Sequence, residues 1–393
     1  MTPIADGLRI VEIAGGPSAA FAGMLLGALG ADVIRIENPD GETFQDRGTA
    51  GIDEPAAAFL HRRKRRATID LSATGGRRAF KQLVSNASGV VEDLGAPRAH
   101  ELKVHARALR RGHRDLVVAS ISPFGSEGPR AEWEASELVI QAMGGIVHST
   151  GFEGEPGLRV AGLPAHFIGG LHAATAVLTG VLGVRLGTES GANIKISLEE
   201  AWMHHWVRHI QEWGHAGFGM QREVRGTGRQ GFPHTVMAAD DWLYVLALNA
   251  AWEPFAVFMG LEDYAGREWN AAKTQIDGWD EIEPVYRASI ASKSRYEWFA
   301  AAAKHGYTFA PIHTVAQLAD TSQFKARGAF EPLETGTATI PAPDLPFRMV
   351  RVARRPNRTA APGEHTREVL AEAVVDGVAN ERSATGRGHS GDS

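Results

Sequence analysis

Cysteine is absent from this chain of 393 residues. Disulfide bonds, thiolate nucleophiles and cysteine-ligated metal sites are therefore excluded. A large charge excess is also lacking, because 41 lysines and arginines stand against 46 aspartates and glutamates. The formal net charge of −5 argues against a nucleic-acid partner, since proteins that bind nucleic acids carry a basic excess. The composition, 44% hydrophobic and 22% charged, is that of an ordinary soluble globular protein.

The sequence has no long uninterrupted apolar run, and the pattern of its first residues leads us to expect no signal peptide. Its first residues, MTPIADGLRIVEIAGG, show no basic stretch followed by an apolar core. The longest apolar stretch, residues 169–183, is interrupted by glycine, alanine and histidine and is short for a bilayer span. We therefore expect a cytoplasmic protein with no membrane partner.

Short apolar runs rich in β-branched residues alternate with helical segments through the N-terminal half. The predicted strands are residues 8–14, 31–37, 67–71, 89–94, 116–122 and 193–198. The predicted helices are residues 19–29, 77–85, 99–111, 137–146, 165–186 and 199–215. This alternation predicts an α/β fold with a parallel sheet covered by helices and right-handed crossovers.

The length of the chain predicts two domains, since single cores rarely grow beyond about 250–300 residues. A glycine- and arginine-rich segment, residues 221–233, is typical of a connector. After it we predict a strand at 242–248 and helices at 282–291 and 296–305. The polar, glycine-rich residues 376–393 are typical of a disordered tail.

Five consecutive basic residues, 62–66, lie between a predicted helix and the strand at 67–71. One interpretation is a solvated surface. The other is an anion site for phosphates, because ligands of open parallel sheets gather at the edge where the βα loops lie, and arginine binds phosphate oxygens bidentately.

The segment Gly15-Gly16-Pro17-Ser18 follows the first predicted strand and opens a helix. It does not have the GxGxxG spacing of a dinucleotide site. Its amides at a helix N-terminus can approach a phosphate or carboxylate. A turn that merely needs glycine conformations is the alternative.

His166 and Glu137 are the candidate catalytic residues. Pro164 suits the first turn of a helix, so His166 lies near the positive end of the helix dipole and we expect a neutral ring at pH 7. A structural histidine is the alternative. Glu137 opens the helix 137–146, where helix capping is the alternative to catalysis.

Two further features carry structural interpretations. His205 and His209 have the spacing of a metal pair, but no acidic third ligand or HExxH context accompanies them, so we predict aromatic packing or a subunit contact and no metal. The glycines and alanines of residues 169–183 form a small-residue face that permits close packing of another backbone.

The chain resembles the family III CoA-transferases, a group that includes formyl-CoA transferase, carnitine CoA-transferase and α-methylacyl-CoA racemase. The resemblance runs in order from about Leu8 to Glu372. It is carried by LRIVEIAGGPSAAFAGMLLGALGADVIRIENPDG, SISPFGSEGP, ELVIQAMGGIVHSTG, AHFIGGLHAATAVLTGVLGVRLGTESGANIKISLEEAW, APIHTVAQLADTSQFKARGAFEPLE and PGEHTREVLAE.

The resemblance implies a large domain with a Rossmann-like sheet, built from both ends of the chain, and a smaller inserted domain. The expected bounds are 1–220 and 335–372 for the large domain, 221–233 for a linker, 234–334 for the small domain and 373–393 for a disordered tail. It also implies an interlocked dimer, with coenzyme A or acyl-CoA as substrate and no tightly bound cofactor. The residues expected at the CoA are Pro17, Ser18, Arg35, Arg63, Lys64, Arg65, Asp93 and Leu94.

The chain departs from the family at the catalytic position. The family's A-D-aromatic motif, whose aspartate attacks the acyl thioester, reads Ala165-His166-Phe167 here. An imidazole can attack a thioester, but the acyl-imidazole cannot become an enzyme-bound thioester by the carboxylate route. The racemase pair of histidine and aspartate is also lost, since Ser136 and His166 stand in those places.

The expected CoA surface is altered as well. The family's V-E-N-aromatic segment reads Val91-Glu92-Asp93-Leu94, and Glu101 stands where an arginine is usual. The added negative charges are expected to weaken binding of the tetra-anionic CoA. The glycine-rich loop expected near residues 235–240 is missing from the sequence.

Three functions remain open. The first is a CoA-transferase component that lacks the catalytic aspartate and works in a hetero-oligomer with a homologous aspartate-bearing chain, although a homodimer is the alternative assembly. The second is a stand-alone acyl-CoA thioesterase or isomerase with His166 as general base. The third is a non-catalytic protein that binds CoA or acyl-CoA.

Overall fold

The computed structural model describes residues 3–13, 15–39, 54–217, 222, 234–246, 252–270, 275–335, 337–348 and 356–373. The chain divides into two compact units. The first is formed by residues 1–146, 159–217 and 326–393, and the second by residues 147–158 and 218–325. The connector predicted at 221–233, apart from Arg222, lies outside the described residues, as do residues 247–248 of a predicted strand and residues 374–393 of the predicted tail.

A six-stranded parallel sheet is the centre of the first unit. Its strands are β1 (Arg9–Ile13), β2 (Asp32–Glu37), β3 (Arg65–Thr68), β4 (Gly89–Glu92), β5 (Val117–Ser122) and β6 (Ala192–Ser197). The order is β3-β2-β1-β4-β5-β6, and all neighbouring pairs are parallel. The predicted α/β fold with a Rossmann-like parallel sheet is confirmed.

The strand order reverses between β1 and β4. Val11 of β1 lies opposite Ile34 on one side and Val90 on the other, so β1 is central, and apart from the charged Glu12 its buried residues are apolar. Parallel strands covered by helices on both faces have such nearly continuous hydrophobic runs. The chain leaves β1 and β4 in opposite directions across the sheet, and the carboxyl ends of these strands therefore flank a crevice where ligands of such folds bind.

Helices follow the strands along the chain. They are α1 (Pro17–Ala28), α2 (Glu54–His61), α3 (Thr74–Val84), α4 (Ala96–Glu101), α5 (Ala106–Leu109), α6 (Glu137–Met143), α7 (Ile146–Ser149), α8 (Pro164–Arg185), α9 (Leu198–Met203) and α10 (Val207–Ala216). Helices α1, α5, α8 and α9 contact the strands of the sheet, whereas most of α7 belongs to the second unit. Residues 366–373 are also helical. The hairpin of β12 (Phe330–Glu334) and β13 (Thr339–Pro343) belongs to the first unit.

The second unit has its own core. Its antiparallel sheet contains β7 (Thr235–Met237), β8 (Trp242–Leu246) and β11 (Thr308–Pro311), in the order β11-β8-β7. A short hairpin joins β9 (Trp269–Asn270) and β10 (Gln275–Ile276). The helices are α11 (Trp252–Phe258), α12 (Trp279–Ala291), α13 (Arg295–His305) and α14 (Val315–Leu318), and α15 (Ser322–Arg327) follows at the boundary of the units. Buried aromatic side chains, among them Trp279 and Trp298, fill this core.

Three predicted helices differ from those observed. The helix predicted at 199–215 is interrupted by a 3₁₀ turn, His204–Trp206, between α9 and α10. The basic stretch predicted as one helix at 99–111 forms two short ones, α4 and α5. The helix predicted at 137–146 ends at Met143, because Gly145 takes a left-handed conformation (φ 92°) that favours glycine.

The small-residue face predicted on residues 169–183 is confirmed. Helix α8 packs on α1, and a Cβ atom added at Gly170 would lie 2.5 Å from the carbonyl oxygen of Ser18 and 3.2 Å from Phe21 Cβ. Among the described helices, α8 has the length and apolar composition of a membrane span, but it packs on β4, β5 and β6 of the sheet. One helix of this length and apolar composition is only weak evidence for a membrane span, because the core helix of a soluble protein passes the same test.

Replacing Gly170 by alanine is expected to lower the free energy of unfolding by about 1–3 kcal/mol, because α1 and α8 must separate to accept the methyl group. Gly75→Ala is the matched control, since an added Cβ there meets no atom within 4 Å. Urea denaturation of both variants measures the difference. Equal stability of the two would show that the contact between α1 and α8 is not tight.

Candidate active site

A cavity of about 380 Å³ lies where the strand order reverses. Its walls come from the loop after β1, the loop after β4, the end of β5, residues 131–135 and the start of α8. The structure brings together five of the residues expected at the site: Pro17, Ser18, Asp93, Leu94 and His166 all line this cavity. The cavity is therefore the candidate active site of the first unit.

Asp93 binds the N-terminus of α1. Its Oδ1 accepts hydrogen bonds from the amides of Gly15 (2.7 Å) and Gly16 (3.0 Å), and its Oδ2 accepts one from Ala19 N (2.9 Å). Burial raises the pKa of Asp93, and the three amide hydrogen bonds oppose that rise. Asparagine can present only one such oxygen, so the aspartate at this position makes the capping by both oxygens possible. The amides expected to approach a phosphate are thus already bound by a carboxylate of the protein.

Glu137 caps the N-terminus of α8, as Asp93 caps that of α1. Its side chain is fully buried, and its Oε1 accepts hydrogen bonds from Ala165 N (2.9 Å) and Gln141 Nε2 (2.7 Å). Its Oε2 accepts one from His166 N (3.2 Å). The capping alternative expected for Glu137 concerned its own helix, α6, whereas the carboxylate is bound to the first amides of α8. An anion there also interacts favourably with the helix dipole.

His166 is held between Ser18 and Glu137. Its Nδ1 lies 2.9 Å from Ser18 Oγ, and its Nε2 lies 4.0 Å from Glu137 Oε2. The Nε2 atom is buried and has no hydrogen-bond partner among the described residues. The predicted position of His166 in the first turn of a helix is confirmed, since α8 begins at Pro164.

The basic segment 62–66 is engaged by protein carboxylates. Lys64 Nζ lies in the interior, 2.6 Å from Glu12 Oε2 and 2.7 Å from Ala20 O. Arg63 pairs with Glu331 at 2.6 Å and Arg65 with Asp32 at 2.7 Å. The expectation of a solvated surface does not hold for Arg62, Arg63 and Lys64, which are all buried.

Arg35 also belongs to this buried network, because its Nη1 lies 2.7 Å from Glu12 Oε1. Burial lowers the pKa of Lys64 to about 8, and the neighbouring Glu12 carboxylate opposes that change. Arg35, Arg63, Lys64 and Arg65 are not among the described residues that line the cavity. Their expected contact with CoA remains a proposal, and the structure gives each of them a protein anion.

Residues that the sequence did not single out also line the cavity. Arg98 and Trp133 are two of them. Arg98 lies in α4, the helix that follows β4, so its position shortly after a strand end was a usable signal. Trp133 lies in an irregular segment, and its sequence carries no comparable signal. Glu92, the last residue of β4, is buried and its carboxylate accepts a hydrogen bond from Leu94 N at 3.0 Å.

Glu92 is expected to make stability depend on pH. Burial raises the pKa of Glu92 from 4.5 to about 7. A raised acid pKa contributes stability that is present below the unfolded value, about 4.5, and lost as the pH rises through about 7. The wild-type protein is therefore expected to lose about 3 kcal/mol relative to Glu92→Gln between pH 5 and pH 8.

Urea denaturation at the two pH values measures this difference. Glu189→Gln is the control, because Glu189 is exposed and its removal is expected to change stability equally at both pH values. A difference between wild type and Glu92→Gln that does not change with pH would contradict the assignment.

The metal alternative at His205 and His209 has no support from neighbouring ligands. His205 stacks on Trp202, with 5.7 Å between the ring centroids, and His209 Nδ1 lies 3.2 Å from Glu212 Oε2. Within the described part of the chain, no group of three or more potential ligands is placed to hold a metal ion.

The chain is similar to known proteins over nearly its whole length. It is 26% identical over 386 residues to succinyl-CoA:(R)-benzylsuccinate CoA-transferase subunit BbsE of Thauera aromatica, covering 93% of each chain. It is 24% identical to the succinyl-CoA–L-malate CoA-transferase alpha subunit of Chloroflexus aurantiacus, covering 93% of this chain and 88% of the relative. A crystal structure of a CAIB/BAIF family protein from Brucella suis has a TM-score of 0.79 and 24% identity, covering 95% and 99% of the two chains, which shows the shared fold.

The family model of CoA-transferase family III matches residues 5–366. This match includes both the cavity at β1 and β4 and the whole second unit. The protein is thus a CoA-transferase or a component of one. The chain belongs to the family III CoA-transferases.

Proposed function

We propose that this chain is the subunit without the catalytic aspartate in a hetero-oligomeric CoA-transferase, and that a homologous aspartate-bearing chain carries out the exchange. The observation that carries the proposal is His166, which stands at the position of the family aspartate in a chain that the family model matches over residues 5–366. The names of two relatives describe them as subunits, which supports the hetero-oligomeric part of the proposal. Acyl-CoA thioesters and free carboxylates are the proposed substrates.

The chemistry of exchange explains why histidine does not suffice. A carboxylate that attacks an acyl thioester forms a mixed anhydride, and the released CoA thiolate can attack that anhydride at the enzyme's own carbonyl to give an enzyme thioester. An acyl-imidazole has no enzyme carbonyl, so attack by CoA can only regenerate the starting thioester. His166 therefore cannot hold CoA while one acid leaves and another enters.

Asp93 adds an electrostatic reason. Its carboxylate occupies the amides at the start of α1, and it lines the same cavity as His166. An anionic ligand that approached these amides would meet a bound negative charge instead of free donors. At an effective dielectric constant near 20, two unit charges about 4 Å apart repel by about 4 kcal/mol.

A cytoplasmic location and an interlocked dimer with the homologous chain complete the proposal. It is tested by expressing this chain together with an aspartate-bearing family III chain from the same organism and purifying by a tag on this chain alone. Co-purification in equal amounts, with CoA transfer by the complex, is expected. If the tagged chain forms only homodimers in the presence of that partner, the hetero-oligomer is excluded.

The variant His166→Asp separates the effect of the missing catalytic carboxylate from the effect of the Asp93 charge. We expect it to leave transfer by the isolated chain at the background rate, because Asp93 still occupies the start of α1. The double variant with Asp93→Asn tests whether removal of that charge is the missing step. Transfer restored by His166→Asp alone would contradict the role given to Asp93.

A further inference from the structure

The cavity holds a second chemical arrangement, separate from the exchange chemistry of the family. Ser18, His166 and Glu137 stand in a row, with Ser18 Oγ 2.9 Å from His166 Nδ1 and His166 Nε2 4.0 Å from Glu137 Oε2. A hydroxyl, an imidazole and a buried carboxylate in this order are the parts of an activated serine nucleophile. The chain brings them together from the first turn of α1, the first turn of α8 and the start of α6.

The ring nitrogens of His166 are not available to a substrate. Nε2 is buried, and Nδ1 is bound to Ser18. A substrate in the cavity therefore cannot be attacked by the imidazole directly while this arrangement persists. Ser18 is itself only 1% exposed and lines the cavity at its base, and it is the side chain through which the imidazole can act on a substrate that reaches this base.

The surroundings of Glu137 select one tautomer of His166. Both carboxylate oxygens accept N–H hydrogen bonds, from Ala165 and Gln141 on Oε1 and from His166 N on Oε2. A ring N–H at Nε2 is attracted to this acceptor, whereas a lone pair at Nε2 would face it. The proton thus belongs on Nε2, and Nδ1 accepts the hydrogen bond from the hydroxyl of Ser18.

We propose that Ser18 is an acyl-accepting nucleophile, with His166 as its general base and Glu137 as the positioning residue that fixes the tautomer. The activity is hydrolysis of small acyl thioesters or activated esters in the chain's own cavity. It goes beyond the proposed function, because it needs neither the partner chain nor an acceptor carboxylate. A cavity of about 380 Å³ accommodates an acyl group and its thioester rather than a whole CoA molecule.

The reaction balances with water as the second reactant. Ser18 Oγ attacks the carbonyl carbon while its proton moves to His166 Nδ1. The C–S bond then breaks, and the leaving thiolate takes that proton to give a thiol and acyl-Ser18. Water, deprotonated by His166, attacks the ester and releases the carboxylic acid, and the proton returns to Ser18 Oγ. No electrons are gained or lost in any step.

The test uses the isolated full-length chain with p-nitrophenyl acetate and, separately, acetyl-CoA. The reaction is quenched in acid and analysed by intact mass and peptide mapping. We expect one acetyl group per chain on Ser18 and none in Ser18→Ala. Ser85→Ala is the matched control, since Ser85 ends α3, its hydroxyl bonds only to Gln82 O among the described residues, and it lies outside the cavity lining.

The other two residues are tested by rates. His166→Gln is expected to slow acetylation by p-nitrophenyl acetate by about 100-fold or more, as loss of a general base does. Glu137→Gln is expected to slow it while Glu137→Asp restores part of the rate, with circular dichroism confirming that each variant is folded. Because Glu137 also caps α8 through both oxygens, the tautomer role is read from the ¹⁵N chemical shifts of the His166 ring, which are expected to show the Nε2–H tautomer in wild type and to change in Glu137→Gln.

Three results would overturn the inference: acetyl found on His166 instead of Ser18, no acetylated protein with either reagent, or wild-type acetylation in Ser18→Ala. None of these bears on the hetero-oligomer, because the assay contains no partner chain and no acceptor acid. Conversely, if the chain forms no hetero-oligomer, the acetyl adduct on Ser18 is still expected.

Discussion

Lys64→Met is expected to lower the free energy of unfolding by about 3–5 kcal/mol. Lys64 is fully buried, and its ammonium lies between Glu12 Oε2 and the carbonyl oxygen of Ala20. Removing the cation leaves the buried Glu12 carboxylate with one of its two cationic partners, Arg35. A buried charge that loses a partner is strongly destabilising, whereas the intact pair contributes little net stability.

Lys195→Met provides the matched control for Lys64→Met. Lys195 also pairs with a glutamate, Glu127, but 46% of its side chain is exposed, and exposed pairs contribute about 0–1 kcal/mol. Urea denaturation at pH 7 compares the two variants. A loss in Lys64→Met no larger than in Lys195→Met would contradict the buried network.

A double variant separates charge from packing. Lys64→Met combined with Glu12→Gln removes both charges and is expected to recover part of the stability lost in Lys64→Met.

Gly23→Ala tests the same buried network independently, since the added Cβ would lie 1.8 Å from Glu12 Oε2 and 3.2 Å from Lys64 Nζ. It is expected to destabilise the protein by about 1–3 kcal/mol, because the buried pair must shift.

Glu137→Ala is the second substitution for which we expect a loss of about 3–5 kcal/mol. The change removes the acceptors of Gln141 Nε2, Ala165 N and His166 N at once. Each buried donor left without an acceptor costs about 1–3 kcal/mol, whereas Gln141 Nε2 keeps its second hydrogen bond, to Val160 O at 3.0 Å. The start of α8 is expected to fray, since its first amides lose their cap.

Hydrogen exchange and urea denaturation measure the effect of Glu137→Ala. We expect faster exchange of the amides of Ala165 and His166, with little change in the second unit. Glu101→Ala is the control, because Glu101 is 66% exposed and pairs only with the half-exposed Arg98 among the described residues. A Glu137→Ala protein within about 1 kcal/mol of wild type would show that α8 does not depend on this carboxylate.

The sheet of the first unit was predictable because strands and helices alternate with clear boundaries. Apolar runs such as residues 8–14 and 116–122 coincide with β1 and β5, which are buried on both faces. The break at His204–Trp206 was not predictable, since the helical periodicity continues through it. Of the two interpretations of the basic segment, the solvated surface is wrong for Arg62, Arg63 and Lys64, because partners such as Glu331, 268 positions from Arg63, are not evident from the local sequence.

The candidate site was also predictable from the sequence only in part. His166 and Glu137 were predictable as site residues from the resemblance and from their places at helix starts. The hydrogen bond between Ser18 and His166 joins residues 148 positions apart, and no local pattern indicates it. The hydrogen bonds from the α1 amides to Asp93 likewise form because β1 and β4 are neighbours in the sheet, and only the strand order reveals this.

The most direct test of the proposal that a partner chain carries out the exchange is made on the isolated chain. The chain is incubated with acetyl-CoA and isotopically labelled acetate, so that any exchange gives a labelled thioester. We expect no labelled CoA thioester above the uncatalysed rate, even where Ser18 becomes acylated, because an acyl-serine ester cannot activate a free carboxylate. Labelled thioester formed by the isolated chain, together with a covalent adduct trapped on His166, would contradict the assignment of exchange to a partner.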